Sequence, residues 1–155
     1  MFTKRARTRG GFVVMEVVLA VGVIAALTGS VAALWGSRKS LPPVRDLQRV
    51  SDADVILKAI SRNAAANGGV FKCAQGAVPL VPTAMASGKG DYNIAPCLVP
   101  SQLPALPFDP SMPGAHWASV ANYNTGYTVV RDTKTNRVTI QAPTAELQED
   151  ISVTR

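Results

Sequence analysis

Lys4-Arg5-Ala6-Arg7-Thr8-Arg9-Gly10-Gly11-Phe12-Val13-Val14-Met15-Glu16 opens into an uncharged run from Val17 to Trp35 whose only hydroxyl residues are Thr28 and Ser30. At about 1.5 Å of rise per helical residue, such a run is long enough to cross a hydrocarbon core of roughly 30 Å. Glu16 is the anomaly. A carboxylate in an apolar helix costs about 2.5–3.5 kcal/mol on insertion scales, so a partner for it is expected.

Charge works outward from this stretch in the same sense. The 155-residue chain carries +6, with 16 basic and 10 acidic residues. Four of the basic residues fall in residues 1–11, and without them the remainder is near +2, twelve bases against ten acids. The sequence pI of 9.8 therefore mostly reports the first eleven residues and is weak support for nucleic-acid binding. A basic flank ahead of an apolar run reads as a cytoplasmic anchor. Arg38 and Lys39 on the far side reduce the asymmetry without reversing it.

Downstream, residues 12–40 read as one helix without proline, with Gly22, Gly29 and Gly36 spaced seven apart and Gly29-Ser30 its weakest point. Pro42-Pro43 predicts a break or the first turn of a renewed helix. From 44 to 66, Val44, Leu47, Val50, Ile56, Leu57, Ile60 and Ala64 form the expected core-facing stripe, with Arg45, Asp46, Arg49, Asp52, Lys58 and Arg62 largely off it. Asn67-Gly68-Gly69 is the expected stop. Residues 70–115 hold eight prolines and read as a long connection with at most short strands. Cys73 and Cys97 both follow the apolar run. If that part is exported they lie where disulfides persist, and an even count favours a pair over two buried thiols. Closing a loop of about 25 residues stabilises by about 3 kcal/mol in the chain-entropy model. Residues 116–142 read as antiparallel strands, at 117–121, 127–130 and 138–140, with hairpin chemistry in Asp132-Thr133-Lys134-Thr135-Asn136. The polar tail after Pro143 is expected to fray.

The register of Gly11, Phe12, Glu16 and the apolar run resembles the N-terminus of a type IV prepilin or type II secretion pseudopilin, over residues 4–35. The resemblance implies a cleaved basic leader (1–11), a transmembrane and filament-core helix (12–40) and a globular head (41–155) of α+β class. This is the pilin fold, in which a long N-terminal helix packs on a small antiparallel sheet. It further implies cutting between Gly11 and Phe12 by a prepilin peptidase, N-methylation of Phe12, and Glu16 as the filament-assembly residue, fifth in the mature chain. The implied partners are copies of the chain and other pilins, the peptidase, an inner-membrane assembly platform and, before assembly, the cytoplasmic membrane. The precursor would span that membrane once with its N-terminus inside, and the product would be an extracellular filament serving adhesion, motility or attachment. The implied role is structural, with no cofactor. Size and the cysteine loop suit a pilin, with a secretion pseudopilin as the runner-up. In the assembled state the new amine at Phe12 would pair with Glu16 of a neighbour and set register more than affinity, and the glycine spacing would allow close helix approach.

No Ser-His-Asp arrangement, catalytic acid pair or phosphate-cradling loop stands out, and His116 beside Trp117 reads as a satisfied histidine rather than a base. Cys73, Cys97 and His116 lack zinc spacing. Asp91 and Asp109 are candidate calcium ligands, weighed against turn-forming aspartates. Two other classes of function remain open. One is a Sec-secreted domain cut after Val31-Ala32-Ala33, before Leu34, although the apolar run is long for a signal peptide and begins at an acid. The other is an uncleaved anchor presenting a binding domain, for which Gly11→Val would be harmless.

Overall fold

The computed structural model describes residues 17–21, 42–147 and 150–155. The expected leader, Gly11, Phe12, Glu16, the glycines at 22, 29 and 36, and most of the 12–40 helix lie outside the described residues. Residues 17–21 are helical, with Val17, Val18, Leu19 and Val21 exposed. Among the described residues no helix is long and apolar enough to cross a membrane. The chain divides into two units at Ser40/Leu41, and the second carries the α+β architecture.

Helix α1 runs Pro42–Ala66, so the proline pair occupies its first turn, where a missing N–H costs nothing. It ends as expected: Asn67 and Gly69 each donate a backbone N–H to the Ala64 carbonyl, at 2.9 and 2.8 Å. Gly68 and Gly69 take positive φ values of 69° and 88°, which any residue with a Cβ resists. Antiparallel strands follow: β1 (Thr83–Ala86), β2 (His116–Ser119), β3 (Asn122–Arg131), β4 (Val138–Ala142) and β5 (Ile151–Thr154), with a single helical turn, α2 (Ala95–Leu98), between β1 and β2. The ten-residue β3 organises the sheet. Asn124 pairs with Ala86 on one edge and His116 on the other, and Thr128 with Ala84 and Gln141. β1 thus lies along one edge while β2 and β4 share the other; β5 extends the sheet beyond β4.

Alternation along β3 buries Tyr123, Thr125, Tyr127 and Val129 on one face, the two-residue period of a half-buried strand. The core joins them to Ile56, Leu57 and Ile60 of α1, Met85 of β1, Ile140 of β4 and Ile94, Leu98 and Leu106 of the connection. Helix α1 packs on β4 and β5. The sheet has one apolar face to bury, and the inner face of α1 covers it.

Three expectations change. The sheet is not confined to 116–142, because β1 rises out of the proline-rich connection. The tail does not fray: Ile151-Ser152-Val153-Thr154 is an edge strand with Ile151 buried and paired to Ala142. Three of its four residues are β-branched, which suits a pleated surface. The largest change concerns the first half of α1, where the expected core-facing stripe is on the wrong side. Val44, Leu47 and Val50 are 53%, 71% and 41% exposed, while Asp46 and Arg49 are 7% and 0%. Buried positions 46, 49, 53, 56, 57, 60 and 63 nonetheless keep helical spacing, so the face is continuous and only its chemistry switches, from charged to apolar.

The Cys73–Cys97 disulfide is formed, with Cα atoms 5.0 Å apart. Asn63 fastens α1 to both sides of it. Its amide nitrogen donates to the carbonyls of Lys72 (3.1 Å) and Cys97 (3.0 Å), and its amide oxygen accepts from the Lys72 N–H (2.9 Å).

Candidate functional site

The inverted half of α1 has two sides, and the inner one explains the outer. Arg49 is fully buried beneath the helix and grips Asp109 with two nitrogens, Nε to Oδ2 at 2.8 Å and Nη2 to Oδ1 at 3.1 Å. Its Nη1 donates to Asp46 Oδ1, one turn earlier, at 2.5 Å. Nη2 also donates to Ser111 Oγ at 2.6 Å and Glu146 Oε1 at 3.2 Å. A planar guanidinium can serve this many acceptors in one geometry, which a lysine cannot.

The acids are themselves satisfied. Asp109 Oδ1 accepts the backbone N–H groups of Ser111 and Met112, both at 2.8 Å, and its Oδ2 accepts the Thr144 hydroxyl at 2.6 Å. Asp46 accepts the N–H groups of Glu146 (3.1 Å) and Leu147 (2.9 Å). Glu146 bonds Arg45 through both carboxylate oxygens. One cluster therefore joins α1 to the 109–112 loop and to the 143–147 segment. Burial pushes the Asp109 carboxyl up, but the Arg49, Thr144, Ser111 and Met112 bonds together outweigh it and hold the group at about 2. The Arg45 bond, with help from Ser111 and Arg49, holds Glu146 at about 2 against desolvation. Arg49 is raised further into its charged range, first by Asp109.

Gly126 is part of the same construction. Its φ is 76°, and a Cβ there would sit 2.9 Å from the Asp109 Cβ and 2.8 Å from the Met112 sulfur. A glycine in a strand marks such a close approach.

With charges turned inward, the outer side of α1 is greasy. Pro43, Leu47 and Val50 line an apolar groove of about 290 Å³ with Leu147 and Ile151, and Asp46, which also lines it, is tied by the bonds above. Leu147 is 62% exposed. The 143–147 segment thus supplies both Glu146 to the charge cluster and Leu147 to the groove.

The other sequence candidates fall elsewhere. Asp109, considered for calcium, is committed to Arg49. Among the described residues no group of three or more His, Cys, Asp or Glu side chains is placed to hold a metal. His116 is exposed, with Nδ1 2.8 Å from the Gly114 carbonyl and Nε2 3.0 Å from Asn122 Oδ1; these contacts raise its pKa, Asn122 foremost. Sequence reading put Asp46 and Arg49 off the core-facing stripe, where the structure buries both, and it missed Glu146. It also missed the Tyr127 hydroxyl, which donates to Asp52 Oδ2 at 2.9 Å from a fully buried ring. The one available signal was an arginine and an aspartate falling at i and i+3 on the extrapolated core face.

No protein-family model matches this chain, and neither a curated protein nor a solved structure is significantly similar to it.

Proposed function

We propose that the chain is a structural subunit of an extracellular filament of the type IV pilus kind, assembled from a membrane-held precursor after removal of residues 1–11. The observation that carries this reading is the register of Gly11, Phe12 and Glu16 ahead of the apolar run. Cleavage after Gly11 creates a cation at Phe12. Glu16 of an adjacent copy meets it in an apolar bundle, where an ion pair contributes little net affinity but fixes the axial offset. Packing of the apolar residues of 12–35 against other copies supplies the attraction.

Three features of the second unit support the reading. A helix laid on a small antiparallel sheet, with a disulfide-stapled connection, is the arrangement expected of a pilin head. The exposed apolar face of Val44, Leu47, Val50 and Leu147 is a surface that packing between copies would cover. The charge cluster behind it joins that helix to the 109–112 loop and the 143–147 segment. The test is electron microscopy of sheared surface material with the protein identified by mass. Filaments containing this chain in the wild type, and their absence with Gly11→Val, support the reading. A normally functioning Gly11→Val protein would instead indicate an uncleaved anchor.

A further inference from the structure

At the opposite end of α1 from the charge cluster, a cavity of about 230 Å³ opens between the last turns of the helix and the sheet. Ile60, Val70, Phe71, Val78 and Val138 give it apolar walls, and Arg131 and Arg155 give it charge. The two arginines differ. Arg155 is paired with Asp54, Nη2 to Oδ1 at 3.0 Å. Arg131 has no ion pair among the described residues. Its Nη1 donates to Asn136 Oδ1 at 2.7 Å, while its Nε is buried and has no hydrogen-bond partner. The adjacent acid forms no ion pair with it; Asp132 Oδ1 instead accepts from the Lys134 and Thr135 N–H groups and the Thr135 hydroxyl, closing the β3–β4 turn. Arg49 provides the contrast within the same fold: all three of its nitrogens are engaged. Arg131 lines the cavity without a counter-charge among the described residues, so its guanidinium offers charge-assisted donors to an acceptor there, while the Nε itself is closed off from solvent.

We propose that this cavity binds a small carboxylate carried on an apolar body, such as a single aromatic ring or a branched chain. The Arg131 fork takes the carboxylate, with charge-assisted bonds of the kind guanidinium makes best. Phe71, Val78 and Val138 receive the apolar part. The volume lies below the roughly 300–1,000 Å³ of pockets that hold drug-sized ligands, which fixes the ligand as a small one. The site is independent of the assembly reading.

The experiment is a titration of the full-length, isotope-labelled chain in detergent micelles with sodium phenylacetate, followed by NMR, with phenylacetamide as the uncharged isostere. Saturable shifts in residues 60–71 and 131–138 with the acid, and weak ones with the amide, are expected. Arg131→Gln should weaken acid binding by about tenfold. An equal response to acid and amide, no saturable response, shifts centred elsewhere, or undiminished binding to a folded Arg131→Gln protein would each overturn the proposal. Should that variant lose its fold, the acid–amide comparison on the unaltered chain decides alone.

Discussion

Arg49 sits where a helix normally presents leucine, and it is tolerated because its neighbours meet it on every side. Removing it would strand Asp109 and Asp46 as buried charges. Arg49→Met is therefore expected to cost about 3–5 kcal/mol in urea unfolding, and adding Asp109→Leu to that variant should recover part of the loss. Gly126→Ala is expected to cost about 1–3 kcal/mol, from strain at positive φ and from pushing Asp109 off Arg49. The acids also set a pH dependence. Asp109 and Glu146 both sit at about 2, below their ordinary 3.8 and 4.5. A depressed acid stabilises the fold fully above its unfolded value and loses that contribution as pH falls through the folded one. Stability measured by thermal melting should thus hold above about pH 5 and decline between about pH 4 and 2. Asp52 opposes this trend, since burial pushes its carboxyl up against the Tyr127 bond.

At the scale of elements, α1 shows what a periodic pattern can and cannot tell. Its C-terminal half, with Ile56, Leu57 and Ile60 inward, and its Asn-Gly-Gly stop were legible because local rules and burial agree there. The first half was not. Apolar residues at 44, 47 and 50 have the same helical period as the true inner face at 46, 49 and 53, and the choice between them rests on Asp109, Glu146 and Ser111, some 60 to 100 residues away in sequence. Locally, only extrapolation of the 53–60 face back to 49 and 46 hints at it. β5 was lost for a related reason: four residues after a polar tail carry too little pattern to announce an edge strand. The hairpin at Asp132–Asn136 was legible because its turn chemistry is local, with Asn136 at φ 59°. The outward face of α1 yields its own prediction. Leu47→Glu should change the stability of the isolated protein by no more than about 0.5 kcal/mol, because the side chain is already in water. The same variant should reduce the yield of sheared filaments. Normal filament yield would separate the face from assembly.

For the molecule as a whole, the disulfide staples the connection and Asn63 ties it to the helix end, while the charge cluster ties the chain's last third to the helix start. Replacing Cys73 and Cys97 by serine is expected to cost about 2–4 kcal/mol in denaturant unfolding. The fold class could be read from the order of its segments, and the pair of cysteines from their number. The groove and its charged backing could not be read, since they arise from tertiary contacts. The central claim concerns the first residue of the mature chain. Intact-mass analysis of this protein from sheared surface filaments should give a chain beginning at Phe12, heavier by one methyl group if the amine is modified. A chain beginning at Met1, or at Leu34, would contradict the account.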